Sequence, residues 1–418
     1  MKICVVGAGI IGMTTAYALA QRGHQVTVVD SLSGAGRGAS HANGAQLSYS
    51  YVAPLADPSV WKNLPGYLFQ RSSPLTFRPK FDPAQWRWIA KFLMACNAPA
   101  SAHATAELVR LAFFSRDCLA SLQAELALDF DFREAGKLVM FSSDAAIAAA
   151  RRQVRFQEPL GCDQEVLSAA DCVEIEPALA ASKERWAGGV YTASEQVGDC
   201  ARFCEQLIAA LAHRGDGVRF SFNTAITGAV KSRGRLAALQ STAGDIAADA
   251  FVLANGVGSA RIASTIGLSL PIYPLKGYSV TFDAADLGGI PEVSITDFPN
   301  KIVYARIGNR LRVAGRIEIV GSDTSVDANA CRLLADEARR LFPQLRGDAA
   351  QLSPWAGLRP ATPSGMPVIG RTSLPNVFLN TGHGALGWTL ACGSAELLAS
   401  RIEGRQCAID GDAFSYIN

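Results

Sequence analysis

The hydrophobic pattern of the first thirty residues predicts a strand, a helix and a second strand in direct succession. Residues 3–6 form a short apolar run with β-branched side chains, which suits a strand buried on both faces of a parallel sheet. The helix is expected from about Ile11 to Arg22, with Gly23 ending it, and the second strand from His24 to Val29. This order of elements is typical of an α/β sheet.

Helical and strand patterns alternate along the rest of the chain. Helical spacing of apolar residues predicts helices over residues 104–128, 144–158, 200–215 and 327–345, and from Trp388 onward. Strands are expected over residues 137–141, 189–192, 218–222, 273–282, 302–307, 310–315 and 377–380, with a small antiparallel meander over residues 223–255. Residues 57–100 suggest helices broken by turns, with Trp61, Trp86 and Trp88 in the core.

A hairpin is predicted where two strand patterns flank Gly308 and Asn309, a pair of residues that favours two-residue turns. If Ile307 pairs with Arg310, one face of the hairpin carries Ile302, Tyr304, Arg306, Leu311 and Val313. Arg306 is the only charge on that face, and burying an unpaired guanidinium is costly. Its partner is therefore either an internal Asp or Glu, or a substrate carboxylate bound bidentately.

Composition narrows the class of protein. The chain has 418 residues, of which 49% are hydrophobic and 18% charged, so a globular enzyme with two domains is expected. A formal charge of +2 without long basic runs gives no sign of nucleic-acid binding. Ten scattered cysteines without a CxxC pair indicate reduced thiols in a cytoplasmic protein, and five dispersed histidines predict no metal site.

Two glycine-rich turns supply candidate chemistry. Gly7, Gly9 and Gly12 lie between the first strand and helix, and Asp30 ends the second strand about 20 residues later. This context favours a dinucleotide, with its pyrophosphate at the helix N-terminus and a ribose on the carboxylate, over purely structural glycines or a signal peptide. Residues 382–387 precede a helix in the same way. An NAD-dependent dehydrogenase would share the first turn but would leave the second unexplained.

The sequence resembles the FAD-dependent D-amino-acid dehydrogenases of the small-subunit type, within the wider D-amino-acid oxidase and glycine oxidase group. The residues that carry the resemblance are GAGIIG (7–12), SHANGAQLSYSY (40–51), YPLKGYS (273–279), the arginine-rich hairpin from Arg306, GLRP (357–360) and NTGHGALGWTLACGS (380–394). The resemblance implies an α/β fold: a Rossmann-type FAD-binding domain (residues 1–56, 195–268 and 355–418) interwoven with an α+β substrate domain on a mostly antiparallel sheet (residues 57–194 and 269–354).

The resemblance also implies site residues. Those expected around non-covalent FAD are Gly7, Gly9, Ile10, Ile11, Gly12, Asp30, Ser31, Ser40, Asn43, Gly44, Ala45, Gln46, Leu47, Ile226, Ala254, Asn255, Gly256, Gly384, Leu386, Gly387, Trp388 and Thr389. Those expected around the substrate are Arg306, Arg359, Tyr51, Tyr278 and Gln46, and no acid or base catalyst is assigned. The chain departs from the family pattern at Ser364, at Arg316 and in the order of NGAQ, and these departures bear on substrate identity.

The implied reaction is oxidation of a D-amino acid to a 2-oxo acid and ammonia, with hydride passing from Cα to flavin N5. Electrons are then expected to pass to a quinone or another acceptor. The alternatives are an oxygen-using amine oxidase, a dehydrogenase of D-proline or D-hydroxyproline, and a flavin-binding subunit without catalysis. The expected location is cytoplasmic, with peripheral contact at the inner face of the cell membrane as a variant.

Overall fold

The computed structural model describes residues 1–62, 66, 75–213, 217–284, 289–346 and 352–416. Its strands, numbered along the chain, are β1 Lys2–Val6, β2 Gln25–Val29, β3 Gln46–Leu47, β4 Leu75–Phe77, β5 Lys137–Phe141, β6 Glu165–Ser168, β7 Gly188–Thr192, β8 Gln196–Val197, β9 Val218–Ser221, β10 Ile226–Ser232, β11 Arg235–Ser241, β12 Gly244–Ala247, β13 Ala250–Leu253, β14 Tyr273–Asp283, β15 Ser294–Asp297, β16 Ile302–Ile307, β17 Arg310–Ile319, β18 Trp355–Ala361, β19 Val368–Arg371 and β20 Val377–Thr381. Its helices are α1 Ile10–Gln21, α2 Pro83–Ala95, α3 Ala98–Leu126, α4 Asp144–Gln157, α5 Ala169–Ile175, α6 Cys200–His213, α7 Gly258–Thr265, α8 Ala328–Leu341 and α9 Gly387–Glu403, with short 3₁₀ turns between.

A six-stranded, mostly parallel sheet contains the beginning and the end of the chain. Its order is β19-β20-β13-β1-β2-β9, and β1 pairs in parallel with both β2 and β13. The central strands β1 and β13 are apolar and buried, because both faces of the sheet are covered there. The predicted first strand, helix and second strand are confirmed to within two residues, and Gly23 ends α1 with a φ of +74°.

A larger, nine-stranded sheet is mostly antiparallel. Its order is β18-β14-β17-β16-β15-β5-β7-β6, with β4 paired to β17. The hairpin register is confirmed, since Ile307 pairs with Arg310, Arg306 with Leu311 and Tyr304 with Val313. The two sheets together confirm the α/β fold class. The strand β18, which lies in the segment expected to bind the cofactor, is at the edge of this larger sheet.

The two faces of the larger sheet have different coverings. One, called here the helix-side face, packs against α8 and carries Tyr278, Tyr304 and Val313 in an apolar core. The other, called here the loop-side face, meets residues 42–48: Ser279 Oγ donates to the Ala42 carbonyl at 2.8 Å. Because side chains alternate along a strand, neighbouring residues of β14 face opposite environments. This alternation decides which predicted site residues can meet.

The tryptophans between residues 57 and 100 do not share one environment. Trp88 is buried beside Phe92, as predicted, but Trp61 and Trp86 are 52% and 50% exposed, so the prediction of core positions was wrong for both. Part of this segment, residues 63–65 and 67–74, lies outside the described residues. Within the described ranges, none of the helices is long and apolar enough to cross a bilayer.

Candidate active site

The first glycine-rich turn lies at the carboxyl end of β1. A Cβ on Gly7 would approach Asn255 Cα to 2.6 Å, and one on Gly12 would approach the Gly7 carbonyl oxygen to 1.8 Å, so the chain's own packing requires both glycines. Gly9 differs, because a Cβ there would meet nothing closer than Ser40 Oγ at 3.5 Å. The open space at Gly9 is therefore where a ligand can approach the N-terminus of α1.

The electrostatics of this turn suit an anion. The first turn of α1 contains no acidic residue, and Gly9 offers no side-chain cap. The positive end of the helix dipole therefore faces no acidic side chain within α1 itself, and Ser40 Oγ accepts a hydrogen bond from the Ile10 N–H at 3.0 Å. Asp30 stands at the end of β2, where its carboxylate accepts hydrogen bonds from the backbone N–H groups of Ala8 (2.6 Å) and Leu32 (2.8 Å). These bonds fix a carboxylate that has lone pairs left for ribose hydroxyls.

The other residues expected near the ADP half surround the same strand ends. Ala254 N–H donates to the Val6 carbonyl, Gly256 has a φ of +58°, and Ile226 joins the apolar cluster that contains Val29. The structure thus brings the predicted residues of β1, β2 and β13 together at one edge of the smaller sheet.

The loop that follows β2 crosses to the loop-side face of the larger sheet. Ala45 has a φ of +56°, and its N–H is held by Asn43 Oδ1 at 3.0 Å. Arg312, buried and with its pKa lowered by burial to about 10, donates from Nη1 to the Asn43 carbonyl at 3.2 Å. Gly44 lies where a Cβ would be 2.9 Å from Val303 Cγ2. The predicted loop residues therefore lie between the two sheets.

Gln46 is held by the larger sheet rather than free to reach a ligand. Its Nε2 donates to the carbonyls of Ile295 (3.2 Å) and Tyr304 (3.4 Å), and its Oε1 accepts from Lys137 Nζ at 2.7 Å. The side chain therefore has its amide groups engaged by protein atoms, which does not support direct substrate contact.

A second helix N-terminus lies beside the first. Gly384 has a φ of +55° with open space around its Cβ position, and the first turn of α9, from Gly387, contains no acidic residue. Helices α1 and α9 pack together, with Thr14 Oγ1 donating to the Ala391 carbonyl at 3.2 Å. Thr389 Oγ1 accepts from Ser48 N–H at 3.1 Å, which joins this turn to the loop.

Two side chains of the C-terminal turn are internal. Trp388 is buried against Phe130 and Phe203 and donates its indole N–H to the Gly198 carbonyl at 3.1 Å, so only its backbone remains available at the turn. His383 is buried, contacts Ser394 Oγ at 3.0 Å, and has its pKa lowered by burial to about 3, so its imidazole is neutral near pH 7.

Arg359 is a half-buried cation on the loop-side face. Its guanidinium occupies the space above Gly277, where a Cβ would be 2.3 Å from Nη1, and Nη1 donates to the Arg316 carbonyl at 3.2 Å. Burial lowers the pKa of Arg359 to about 10, still far above neutrality. In the part of the chain that the structure describes, no carboxylate forms an ion pair with it. The arrangement suits an incoming anion.

Arg306 is paired with a carboxylate of the chain itself, which is the first of the two alternatives that the sequence left open. Its Nη1 pairs with the Glu292 carboxylate, and its Nε donates to the Gly308 carbonyl at 3.2 Å. Tyr278 also lies away from the loop, since its buried hydroxyl donates to Glu318 Oε2 at 2.8 Å on the helix-side face. Neither side chain is brought to Arg359, because they occupy the opposite face of the larger sheet.

Beside Tyr51 lies Lys137, a buried charged residue that the sequence pattern did not single out. Lys137 Nζ lies 4.5 Å from the centre of the Tyr51 ring, and burial raises the pKa of the Tyr51 hydroxyl. Lys137 is the one charged residue in the apolar strand β5. The signal that drew attention to Arg306, a lone charge in a buried strand, was therefore present at Lys137 too.

The residues present fit FAD. FAD has a pyrophosphate and a flavin ring to be held, and the neighbouring N-termini of α1 and α9 can each hold one of them, since neither helix has an acidic residue in its first turn. Among the described residues, His, Cys, Asp and Glu side chains form no group of three or more that could bind a metal ion.

Comparisons with known proteins agree with an FAD-dependent enzyme. The family model described as FAD dependent oxidoreductase matches residues 2–401. The D-amino acid dehydrogenase 2 of Ralstonia nicotianae is 46% identical over 417 residues, covering 98% of both chains. The protein of the same name from Pseudomonas aeruginosa is 44% identical, covering 98% of this chain and 96% of its own.

Solved structures share the fold. Glycine oxidase from Geobacillus kaustophilus superposes with a TM-score of 0.77 at 24% identity, over 100% of this chain and 99% of its own. L-proline dehydrogenase from P. horikoshii gives 0.75 at 18% identity, over 97% and 94%. The match to the family model and the identity to these relatives place the chain in the family of FAD-dependent oxidoreductases, in the group that contains the D-amino acid dehydrogenases.

Proposed function

We propose that this protein oxidises D-amino acids to 2-oxo acids and ammonia, and that Arg359 binds the substrate carboxylate. The observation that carries the proposal is a half-buried guanidinium with no carboxylate partner among the described residues, on the face that meets the loop of residues 42–48. The names and high identity of the bacterial relatives support the same substrate class.

The chemistry that FAD supplies when bound is acceptance of a hydride at N5 from the substrate Cα. The chain's own residues then have two tasks. Arg359 orients the substrate by holding its carboxylate in bidentate fashion. Its positive charge also lowers the pKa of the substrate ammonium, which favours the neutral amine from which hydride departs. The ammonium proton leaves to solvent, so no residue needs to act as a dedicated base. Water then hydrolyses the imino acid left after hydride loss to the 2-oxo acid and ammonia.

The residues expected at the cofactor have distinct tasks in this proposal. Gly7 and Gly12 would shape the turn, Gly9 would let the pyrophosphate approach the N-terminus of α1, and Asp30 would hold the ribose. The loop from Ser40 to Leu47 would hold the flavin ring, and the turn from Gly384 to Thr389 would hold its pyrimidine end. Tyr51 lines the substrate side. Gln46 contributes through its backbone, because its side chain is already engaged by Lys137 and the larger sheet.

The test is anaerobic reduction of the enzyme's flavin across a panel of amino acids. We expect bleaching near 450 nm with D-amino acids and none with their L-enantiomers. The panel includes D-proline, D-hydroxyproline, glycine and sarcosine, so that a preference for imino acids or glycine is detected. If no D-amino acid bleaches a correctly loaded enzyme, the proposed reaction is wrong.

The acceptor is the second part of the proposal: electrons pass to a quinone rather than to oxygen. Oxygen uptake during turnover, measured as hydrogen peroxide, distinguishes the two. A stoichiometric yield of peroxide would identify an amine oxidase, and its absence together with quinone or dye reduction would identify a dehydrogenase.

A membrane quinone calls for peripheral contact with a bilayer at the cytoplasmic face, and the exposed side of α2 supports such contact. Trp86, Ala90 and Met94 recur at helical spacing on that side, and Trp86 and Met94 are 50% and 78% exposed. Arg87 and Lys91 flank them, also exposed. An apolar stripe bordered by cations suits the surface of an anionic bilayer.

Vesicle sedimentation tests this contact. We expect the protein to bind vesicles containing phosphatidylglycerol more strongly than neutral vesicles, and we expect the double variant Trp86→Ser and Met94→Ser to lose that binding. Leu333→Ser, at an exposed apolar residue of α8, is the matched control. Undiminished binding by the double variant would exclude this surface, whereas activity with a soluble dye should be the same for all three proteins.

A further inference from the structure

Lys137 is a buried ammonium whose partners are unusual for a lysine. It is 2% exposed, and its Nζ donates to Gln46 Oε1 and to Ser48 Oγ, both at 2.7 Å. Its third side faces the ring of Tyr51 at 4.5 Å. All three partners are neutral and belong to the loop segment 46–51. The ammonium of Lys137 therefore contacts this segment rather than a carboxylate.

A buried carboxylate holds the same segment from the other side. Glu195 is 1% exposed and accepts hydrogen bonds from the N–H groups of Tyr49 (2.6 Å) and Ser50 (2.7 Å). Glu195 and Lys137 make no direct ion pair in the structure, although they are close enough to influence each other's protonation. Two opposite charges, both removed from water, therefore act on five of the six residues of the segment 46–51.

The segment leads directly to the C-terminal turn. Ser48 accepts from Lys137 through its hydroxyl and donates its backbone N–H to Thr389 Oγ1 at 3.1 Å. Lys137 thus lies one hydrogen-bonded residue away from the N-terminus of α9. A buried charge is costly, and the hydrogen bonds from Lys137 to Gln46 and Ser48 offset that cost only while the segment keeps this geometry.

We propose that Lys137 is a positioning residue of the flavin site. It fixes residues 46–48 and Thr389 and adds positive charge at the flavin-ring end of the cofactor. This inference rests on the cofactor placement in the proposed function and adds a residue that the family motifs did not contain. A cation near the ring favours the reduced, negatively charged flavin, so it raises the reduction potential.

The test compares Lys137→Met with Lys276→Met. Lys276 is equally buried, at 1% exposed, but it pairs with Asp323 at 2.9 Å and lies beside Tyr278 on the helix-side face. Both variants remove a buried ammonium at similar volume, and only the first removes contacts to the loop. The measurements are the dissociation constant of FAD and the midpoint potential of the enzyme saturated with FAD.

We expect Lys137→Met to raise the FAD dissociation constant by roughly tenfold to a hundredfold, the usual loss for charge-assisted hydrogen bonds. We expect its midpoint potential to fall, while Lys276→Met keeps both values. Ser48→Ala removes one hydrogen-bond acceptor of Lys137 and keeps the charge, so it should change the affinity for FAD less. This variant replaces Lys137→Met in the test if Lys137→Met does not fold.

Three results would overturn the proposal: wild-type affinity and potential in folded Lys137→Met, equal changes in Lys276→Met, or weaker affinity without any change in potential. The last would indicate loss of packing alone. These readouts do not depend on turnover, so a wild-type enzyme that binds FAD but fails to oxidise D-amino acids would refute the proposed reaction and leave this inference standing.

Discussion

Replacing Arg359 by methionine removes the cation that we assign to the substrate carboxylate while keeping most of the side-chain volume. The guanidinium lies above Gly277 and makes one hydrogen bond to the Arg316 carbonyl. In the variant, a bound substrate would bury its carboxylate without a cationic partner. Breaking a buried ion pair from one side costs about 3–5 kcal/mol. At 1.36 kcal/mol for each tenfold change, kcat/KM should fall by roughly two to four orders of magnitude.

The assay is steady-state oxidation of the preferred D-amino acid with a soluble dye as acceptor. The flavin spectrum and the midpoint of thermal unfolding report on cofactor binding and folding. Both should stay close to the wild-type values. Arg359 has no carboxylate partner among the described residues, and removing its charge from water already costs folding free energy, so loss of the charge should not destabilise the protein. A loss of flavin would attribute the kinetic effect to the cofactor site instead.

Arg306→Met is the matched control. Arg306 is paired with Glu292, whose side chain is 61% exposed, and such surface pairs contribute about 0–1 kcal/mol. We expect kcat/KM to change by no more than a few fold. If Arg306→Met abolished activity and Arg359→Met did not, the assignment of the carboxylate site from the structure would be refuted.

Three further predictions follow from the geometry. Gly9→Ala should leave the stability of the apoprotein unchanged but weaken FAD binding, whereas Gly12→Ala, whose Cβ would be 1.8 Å from a backbone oxygen, should lower the thermal midpoint of the apoprotein itself. Burial lowers the pKa of Lys137 to about 8 despite the nearby Glu195, so its positive charge is lost as pH rises through about 8. The midpoint potential of the flavin and the activity should both fall over that range, and the pH profile of Lys137→Met should show no such step near pH 8. Burial lowers the pKa of His383 to about 3, so below about pH 6.5 the unfolded chain binds a proton that the folded chain does not. The free energy of unfolding should therefore decrease as pH falls from about 6.5 toward 3, by up to about 1.4 kcal/mol per pH unit. In His383→Gln, the free energy of unfolding measured with urea should depend less on pH over that range.

Local pattern determined much of the fold. The first strand, helix and second strand follow from an apolar run, helical spacing and glycines at the turns, which act over a few residues. The hairpin register follows from the two-residue turn at Gly308 and Asn309 for the same reason. The cofactor class needed one more feature, the second glycine-rich turn before α9, which the residue pattern showed and the family resemblance related to FAD.

Local pattern was a poor guide to burial in residues 57–100. Trp61, Trp86 and Trp88 look alike in sequence, and only Trp88 is in the core. A tryptophan's size indicates that it contacts something, but which side of α2 is covered depends on elements far along the chain. Trp88, for example, donates its indole N–H to the Ala361 carbonyl, 273 residues away.

By itself the sequence determined the dinucleotide motif, the strand register and which residues share a face within one hairpin. Only the tertiary structure decided what each face of the larger sheet contacts, and therefore that Arg359 and Lys137 meet the loop while Arg306 and Tyr278 do not. The physical reason is that alternation along a strand has a period of two and separates side chains into two sets, but it carries no information on which set faces the cofactor loop and which faces a helix. That choice depends on the packing of segments hundreds of residues apart.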